Sequence, residues 1–163
     1  MSRPAHAHIR PFRSADIRAC AAIVAQTEPW KSLGEGIDFV RLVRREQREN
    51  AAYVYTTGTI VSGFIIFTPY PVFARGGYLR AIAVNPEMRK KGIGRKLLTL
   101  AEKKTAFFSP NFYLCVSSFN RKAQAFYKKL GYTRVGKIPG LIIPHASEHI
   151  YWKQLKRPAK AYR

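Results

Sequence analysis

The sequence has few acidic residues, only two cysteines and no long hydrophobic run. It contains 9 Asp and Glu residues against 29 Lys and Arg residues. Cys20 and Cys115 have no CxxC partner and lie in apolar stretches, so we expect two buried thiols rather than a disulfide or a metal site. No stretch of about 18 apolar residues is present, which excludes a membrane-spanning helix, and the first residues lack the apolar segment of a secretory signal. These absences predict a cytoplasmic protein.

The excess of basic residues gives a formal net charge of +20. Such a charge attracts polyanions and repels like chains. Three explanations are open: an anionic cofactor, a nucleic-acid or ribosomal partner, or a proteome that is basic throughout. Because the basic residues are spread along the whole chain, a cofactor accounts for only part of the charge. Charge alone does not name the partner.

Length and composition indicate one globular domain. The chain has 163 residues, with 47% hydrophobic and 13% aromatic residues. A chain of this size buries a sizeable core without disulfides or metals. We assign residues 1–155 to a single domain and residues 156–163 to a basic C-terminal tail.

Hydrophobic periodicity and turn signals predict the order β-α-α-β-β-β-α-β-α-β-β. Thr57-Gly58 marks a hairpin, and strand–helix–strand pieces in the second half imply parallel pairing. The expected fold is α/β, a mixed sheet with helices on both faces. The predicted strands are His6–Phe12, Ala51–Thr57, Ile60–Thr68, Tyr78–Val84, Phe112–Val116, Tyr132–Lys137 and His149–Leu155. The predicted helices run from Ser14, as N-cap, to about Gln26, around Phe39–Arg48 after a loop containing Trp30, over Gly92–Thr105, and from the N-cap Asn120 to Gly131.

An anion-binding loop is the clearest functional signal. The run Arg89-Lys90-Lys91-Gly92-Ile93-Gly94 follows a strand that Pro86 must end, and it opens a helix. Glycines at a helix start let backbone N–H groups approach a ligand, and the helix end carries a partial positive charge. Together these features suit a pyrophosphate. No P-loop is present, and Gly92-Ile93-Gly94 lacks the third glycine of a dinucleotide-binding turn.

Two ordered sequence blocks resemble the GNAT acyltransferase superfamily. The pattern A-V-x-P-x-x-R-x-x-G-I-G-R-x-L-L is similar to the family's acetyl-coenzyme A signature, whose loop R/Q-x-x-G-x-G/A is matched by Arg89, Gly92 and Gly94. A second block, from Asn120 to Tyr132, resembles the family pattern N-x-x-A-x-x-x-Y-x-x-x-G-F/Y. The resemblance implies a six- to seven-stranded GNAT sheet in which coenzyme A lies where the strands around Tyr78–Val84 and Phe112–Val116 splay apart.

The resemblance also implies residues that hold the co-substrate. Backbone groups of Ile82 and Val84 would bind the pantetheine arm, and an amide near Ala83–Val84 would polarise the thioester carbonyl. Asn120 would contact the pantetheine or orient the second block. The amides that would hold the pyrophosphate belong to Lys90, Lys91, Gly92, Ile93, Gly94 and Arg95, with the charge of Arg89 beside them.

Tyr127 is similar to the family's general acid, which protonates the departing thiolate. The general base stays open. Some relatives that acetylate protein N-termini carry a glutamate where this chain has Cys115, and a thiol with no neighbouring cation is a poor base. The other candidates are Glu28, Glu35, His145 and His149, or no base at all if the amine arrives neutral. The aromatic residues Trp30, Tyr53 and Tyr70 either shape an acceptor pocket or belong to the core.

We therefore expect an N-acetyltransferase that moves an acetyl group from acetyl-coenzyme A directly to a primary amine, with no metal. The acceptor is a small molecule or a protein, with an acidic or ribosome-associated acceptor suited to the charge. Two alternatives are a basic nucleic-acid- or ribosome-associated binding module and a non-catalytic coenzyme A sensor. A homodimer is a further expectation.

Overall fold

The structure is a computed structural model, and it describes residues 6–34, 36–39, 51–73 and 75–159. The described strands form a seven-stranded sheet in the order β1-β2-β3-β4-β5-β7-β6. The strands are β1 (Ala7–Pro11), β2 (Ala51–Thr57), β3 (Ile60–Phe73), β4 (Gly76–Val84), β5 (Asn111–Ser117), β6 (Thr133–Pro139) and β7 (Ser147–Gln154). The helices are α1 (Ile17–Ala25), α2 (Trp30–Leu33), α3 (Ile93–Ala106) and α4 (Arg121–Lys129). The predicted α/β class and the order of the seven strands along the chain are confirmed.

Two predictions for the N-terminal part are wrong. Ser14 does not cap α1; instead, the Asp16 carboxylate accepts a hydrogen bond from the Arg13 amide at 2.8 Å, ahead of the helix. Asp16 is buried, and Arg10 donates to it through two nitrogens at 2.7 and 2.8 Å. Trp30 lies in the short helix α2 rather than in a loop. The predicted helix around Phe39–Arg48 lies mostly outside the described residues.

The chain divides into two compact units, and the first comprises residues 1–67 and 81–101. Its sheet begins with the predicted hairpin, in which β2 and β3 pair antiparallel and Gly58 takes φ +62° at the turn. Apolar side chains of α1 pack on the strands in one cluster, and Trp30 packs against it. The cluster contains Cys20, Ile23, Val24, Phe39, Val54, Val61, Phe64, Ile66, Ala81 and Ala83.

The second unit comprises residues 68–80 and 102–163. β4 and β5 run parallel, as predicted, and β7 pairs antiparallel with β5 and β6. The parallel ladder is short, joining Gly77–Leu79 to Phe112–Leu114. The indole of Trp152 donates to the Asn111 side chain at 3.0 Å. Cys115 is only partly buried, which corrects the expectation of two buried thiols, whereas Cys20 is fully buried.

None of the described helices is long and apolar enough to cross a membrane.

Candidate active site

The end of β4 leads directly into the predicted anion-binding loop. The Asn85 amide donates to the Ser62 carbonyl at 2.9 Å, and the Asn85 side chain accepts from the Glu87 amide at 3.0 Å. Pro86 opens a single 3-10 turn that ends at Met88. Because proline has no backbone N–H, Pro86 cannot donate to the sheet ladder. The strand therefore ends before it, and the chain turns towards the loop. Ala83, one residue before the end of β4, is buried, while Ile82 and Val84 are partly exposed.

Arg89 holds the loop to the rest of the first unit. Its Nε donates to the Val84 carbonyl at 3.3 Å, and its Nη2 donates to the Thr27 hydroxyl at 3.3 Å. Thr27 in turn donates to the Ile23 carbonyl at 2.7 Å, at the end of α1. The guanidinium therefore joins the end of β4 to the end of α1, so it has a structural task besides supplying charge to the loop.

The loop backbone suits a bound anion. Lys90 and Gly92 both have left-handed conformations, with φ of +63° and +76°, a feature of turns that gather amides around an anion. The hydrogen-bond ladder of α3 begins with the Lys96 amide, which donates to the Gly92 carbonyl at 3.0 Å. The amides of Ile93, Gly94 and Arg95 therefore precede the helical ladder and are available to a ligand. This arrangement fits the pyrophosphate of acetyl-coenzyme A.

Packing fixes the start of α3 against the sheet. Ile93 and Leu97 are buried. A β-carbon built at Gly63 of β3 would lie 2.9 Å from the Ala83 carbonyl oxygen, 3.3 Å from the Ile93 side chain and 3.4 Å from that of Leu97. Glycine at position 63 therefore lets β3, β4 and α3 approach closely. Lys90, Lys91 and Arg95 stay exposed around the loop.

The second unit places the other predicted block on α4. Asn120 caps this helix by accepting from the Ala123 amide at 3.2 Å, as predicted. Gly131 follows the helix with φ +86°. Gln124 donates to the Ser117 and Ser118 carbonyls at 3.3 and 2.9 Å, so α4 is held to the end of β5.

Tyr127 lies on the buried side of α4 among other aromatic rings. Its ring centroid is 5.2 Å from that of Phe126, 5.6 Å from Tyr132 and 6.4 Å from Tyr151. Burial raises the pKa of Tyr127, so the phenol keeps its proton at neutral pH. Within the described part of the chain, its hydroxyl makes no hydrogen bond. That hydroxyl is therefore open to a ligand.

The predicted bases lie in different surroundings. Glu28 is exposed and accepts from the Ser32 amide at 3.3 Å, and Glu35 lies outside the described residues. His145 is exposed. Burial, together with the charges of Arg134, Lys137 and Lys128, lowers the pKa of His149. Its ring lies 3.3 Å from the Gln124 side-chain oxygen.

The aromatic candidates for an acceptor pocket are engaged in packing. Trp30 packs on the core of the first unit, and Tyr53 stacks on Phe67 with ring centroids 6.3 Å apart. Tyr70 is exposed but lies 4.5 Å from the Phe108 ring centroid. These contacts favour the packing interpretation over the pocket.

Comparison with known proteins decides the family. The sequence pattern that describes the acetyltransferase (GNAT) family matches residues 17–132. The chain belongs to this family. The N-alpha-acetyltransferase of Saccharolobus solfataricus is 33% identical over 94 residues, 56% of this chain and 56% of that protein, so the chain spans about half the length of this curated relative.

Solved structures agree with this membership. Ard1 from Thermoplasma volcanium has 25% identity and a TM-score of 0.73 over 93% of this chain and 99% of its own. An aminoglycoside 6'-N-acetyltransferase complexed with coenzyme A has 20% identity and a TM-score of 0.73 over 93% and 99%, which shows the shared fold. The predicted membership of the GNAT acetyltransferase family and the predicted GNAT fold are confirmed. The comparisons lend no support to a nucleic-acid-binding module or a coenzyme A sensor.

Sequence reasoning missed three residues of this GNAT chain. Thr27 supports Arg89, and Gln124 joins α4 to β5. Glu148 is a buried acid on β7. Only Glu148 left a signal in the sequence, because it alternates with Ile150 and Trp152 on one strand face where an acid is unusual. The roles assigned to the individual site residues stay predictions.

Proposed function

We propose that this chain acetylates the α-amino groups of proteins or peptides, with preference for acidic N-terminal segments. The observation that carries the proposal is the loop from Arg89 to Arg95, whose free amides and cations suit the diphosphate of acetyl-coenzyme A. The relative from S. solfataricus is an N-alpha-acetyltransferase, which supports an α-amino acceptor. The net charge of +20 supports an acidic acceptor and disfavours cationic ones such as aminoglycosides.

In this proposal the co-substrate supplies the acetyl group as an activated thioester, and the chain supplies position and polarity. Amides from Lys90 to Arg95 hold the diphosphate, and Ile82 and Val84 align the pantetheine arm. An amide at Ala83–Val84 polarises the thioester carbonyl, a role worth about 3–4 kcal/mol for a well-placed donor.

Tyr127 assists the departing sulfur. A buried phenol with a raised pKa keeps its proton, so it is always available as a donor. Because such a phenol releases the proton reluctantly, its first contribution is a hydrogen bond to the sulfur. Asn120 sets the start of α4 and thereby the position of Tyr127 along it.

An acceptor screen tests the proposal. Release of free thiol from acetyl-coenzyme A would be followed with peptides that have acidic or basic N-termini, polyamines, amino acids and aminoglycosides. We expect the acidic peptides to give the highest kcat/KM. A preference for aminoglycosides or polyamines would refute the acceptor class alone. Absence of acetyl-coenzyme A binding by calorimetry would refute the activity itself.

A further inference from the structure

Glu148 differs from Asp16, the other buried acid among the residues that the structure describes. It is 6% exposed, and Asp16 is 4% exposed. Asp16 pairs with Arg10, and the partly buried Glu102 pairs with Lys153 at 2.9 Å. Within residues 6–34, 36–39, 51–73 and 75–159, Glu148 has no such cationic partner. A buried carboxylate without a cation is costly, so it calls for a reason other than stability.

Strand registers place Glu148 at the carboxyl end of β5. Glu148 lies directly opposite Ser117, the last residue of that strand. The parallel ladder of β4 and β5 already ends at Leu79 and Leu114, so the last three residues of β5 lie beyond it. In sheets with parallel strands, ligands bind at the carboxyl ends of the strands. The carboxylate is therefore where a substrate is expected.

Three other polar side chains share this face of the sheet. Alternation along β5 puts Cys115 and Ser117 on one side, and Tyr78 of β4, paired with Tyr113, is on the same side. The Tyr78 hydroxyl and the Cys115 thiol are hydrogen-bonded to each other. Glu148 thus belongs to a polar cluster whose members Tyr78 and Cys115 are partly exposed, which gives an amine a way in.

The opposite face belongs to α4. Val116 of β5 lies opposite His149, and Tyr151 on that same side packs against Tyr127. Tyr127 and Glu148 therefore lie on opposite faces of the sheet in the second unit. This placement keeps the Tyr127 phenol and the Glu148 carboxylate apart, so no proton passes directly between them.

The chemistry of the cluster singles out its carboxylate. Burial raises the pKa of Cys115, and burial also raises that of Tyr78, so both are protonated at neutral pH and neither is a base. Burial raises the pKa of Glu148. A raised pKa makes the carboxylate a stronger base. The charge of Arg80 on β4 offsets a small part of the rise in the pKa of Tyr78.

We propose that Glu148 is the general base, which takes a proton from the acceptor ammonium on the face lined by Tyr78 and Cys115. This inference rests on the proposed acetyl transfer. Glu148 accepts one ammonium proton, which frees the nitrogen lone pair. The C–N bond then forms and the thioester C–S bond breaks, Tyr127 donates to the sulfur, and the second amine proton restores the phenol. Glu148 finally releases its proton to water, so one proton leaves per acetyl group.

The test compares Glu148→Gln with Glu102→Gln, which removes a carboxylate engaged in a structural ion pair. We expect E148Q to lower kcat/KM at pH 6–7 by about 100-fold, the scale of general-base catalysis. The deficit should shrink above about pH 8, where an α-amino group is already neutral. Acetyl-coenzyme A affinity, measured by calorimetry, should not change. E102Q should keep the wild-type pH profile.

A second readout needs no co-substrate. In the free protein with ¹³C-labelled glutamate, the pKa of the Glu148 carboxyl should lie above the ordinary glutamate value. Its NMR signal is assigned because it is missing from the spectrum of E148Q. Glu148→Asp, which keeps a carboxylate, should retain the acidic limb of the pH profile at a reduced rate. The proposal is overturned if E148Q stays within about threefold of wild type at pH 6, or if Glu148 titrates at or below the ordinary value. A wild-type chain that binds no acetyl-coenzyme A would instead refute the proposed function.

Discussion

The buried residues Tyr127 and Tyr132 have the same side chain but differ in whether the hydroxyl is hydrogen-bonded within the protein. Tyr132 donates its hydroxyl to Glu102 at 2.9 Å, and Lys153 donates to the same carboxylate oxygen at 2.9 Å. The Tyr132 hydroxyl therefore has a structural role. The Tyr127 hydroxyl makes no hydrogen bond within the described part of the chain, although its ring is buried. A hydroxyl without a protein partner at the edge of a buried ring suits a ligand.

We expect Tyr127→Phe to lower kcat by about 100-fold or more, because the donor to the departing sulfur is lost. Stability should hardly change, since no protein hydrogen bond is removed. Steady-state kinetics and thermal unfolding measure the two effects. The matched control Tyr132→Phe should show the reverse, with lower stability and nearly normal kcat. Equal losses of kcat in both variants would contradict the assignment.

Asp16→Asn should destabilise the protein by about 2 kcal/mol at pH 7, because charge-assisted hydrogen bonds from Arg10 and the Arg13 amide are weakened. Burial alone would raise the pKa of Asp16, but these bonds outweigh it and lower the pKa below its ordinary 3.8. The contribution is thus present above about pH 4 and is lost as pH falls through the folded-state pKa. Urea unfolding at pH 7 and pH 3 measures it. A difference in the free energy of unfolding between wild type and Asp16→Asn that is larger at pH 3 than at pH 7 would contradict the prediction.

At the scale of elements, periodicity and punctuation predicted most of the fold. Thr57-Gly58 marked the hairpin, and Asn120 with Gly131 marked both ends of α4. The short helix at Trp30 escaped because four residues carry no periodicity. The place of Glu148 opposite Ser117 escaped because strand register depends on contacts between distant segments, which local patterns do not encode.

The loop before α3 depends on the conformation of Gly92. Its φ of +76° strains any side chain, yet a β-carbon there would meet no atom within 4 Å. Gly92→Ala should therefore leave the core intact. Without ligand, the loop of this variant relaxes to a backbone conformation that suits alanine, and acetyl-coenzyme A can bind only after the loop returns to the strained left-handed conformation. At about 1–2 kcal/mol of strain, acetyl-coenzyme A should bind roughly tenfold more weakly.

Gly34→Ala is the matched control, since Gly34 has φ +65° and equally open surroundings at the end of α2. Calorimetry should find its acetyl-coenzyme A affinity unchanged. If both variants bind as wild type does, the loop conformation is not needed for binding.

At the scale of the whole molecule, the charge of +20 acts on any charged acceptor before contact is made. The basic residues lie along the entire chain rather than in the loop alone. Their field therefore favours acidic segments that approach from many directions, and it weakens as salt shortens the Debye length from about 10 Å at 0.1 M to about 3 Å at 1 M.

We expect kcat/KM for an acidic peptide to fall about tenfold between 50 and 500 mM NaCl at saturating acetyl-coenzyme A, because encounter is slowed while kcat is preserved. A neutral peptide of equal length should change far less. Initial rates at several salt concentrations decide the question, and equal salt dependence for the two peptides would show that the net charge does not select the acceptor.

Each compact unit contains one of the two tryptophans, Trp30 in the first and Trp152 in the second. Replacing either indole by phenylalanine leaves a single emitter that reports on its own part of the chain. Melting curves recorded from the two single-tryptophan proteins therefore follow each half without added labels. Superimposable curves would mean that both halves denature as one cooperative block, and separate curves would assign the weaker half directly.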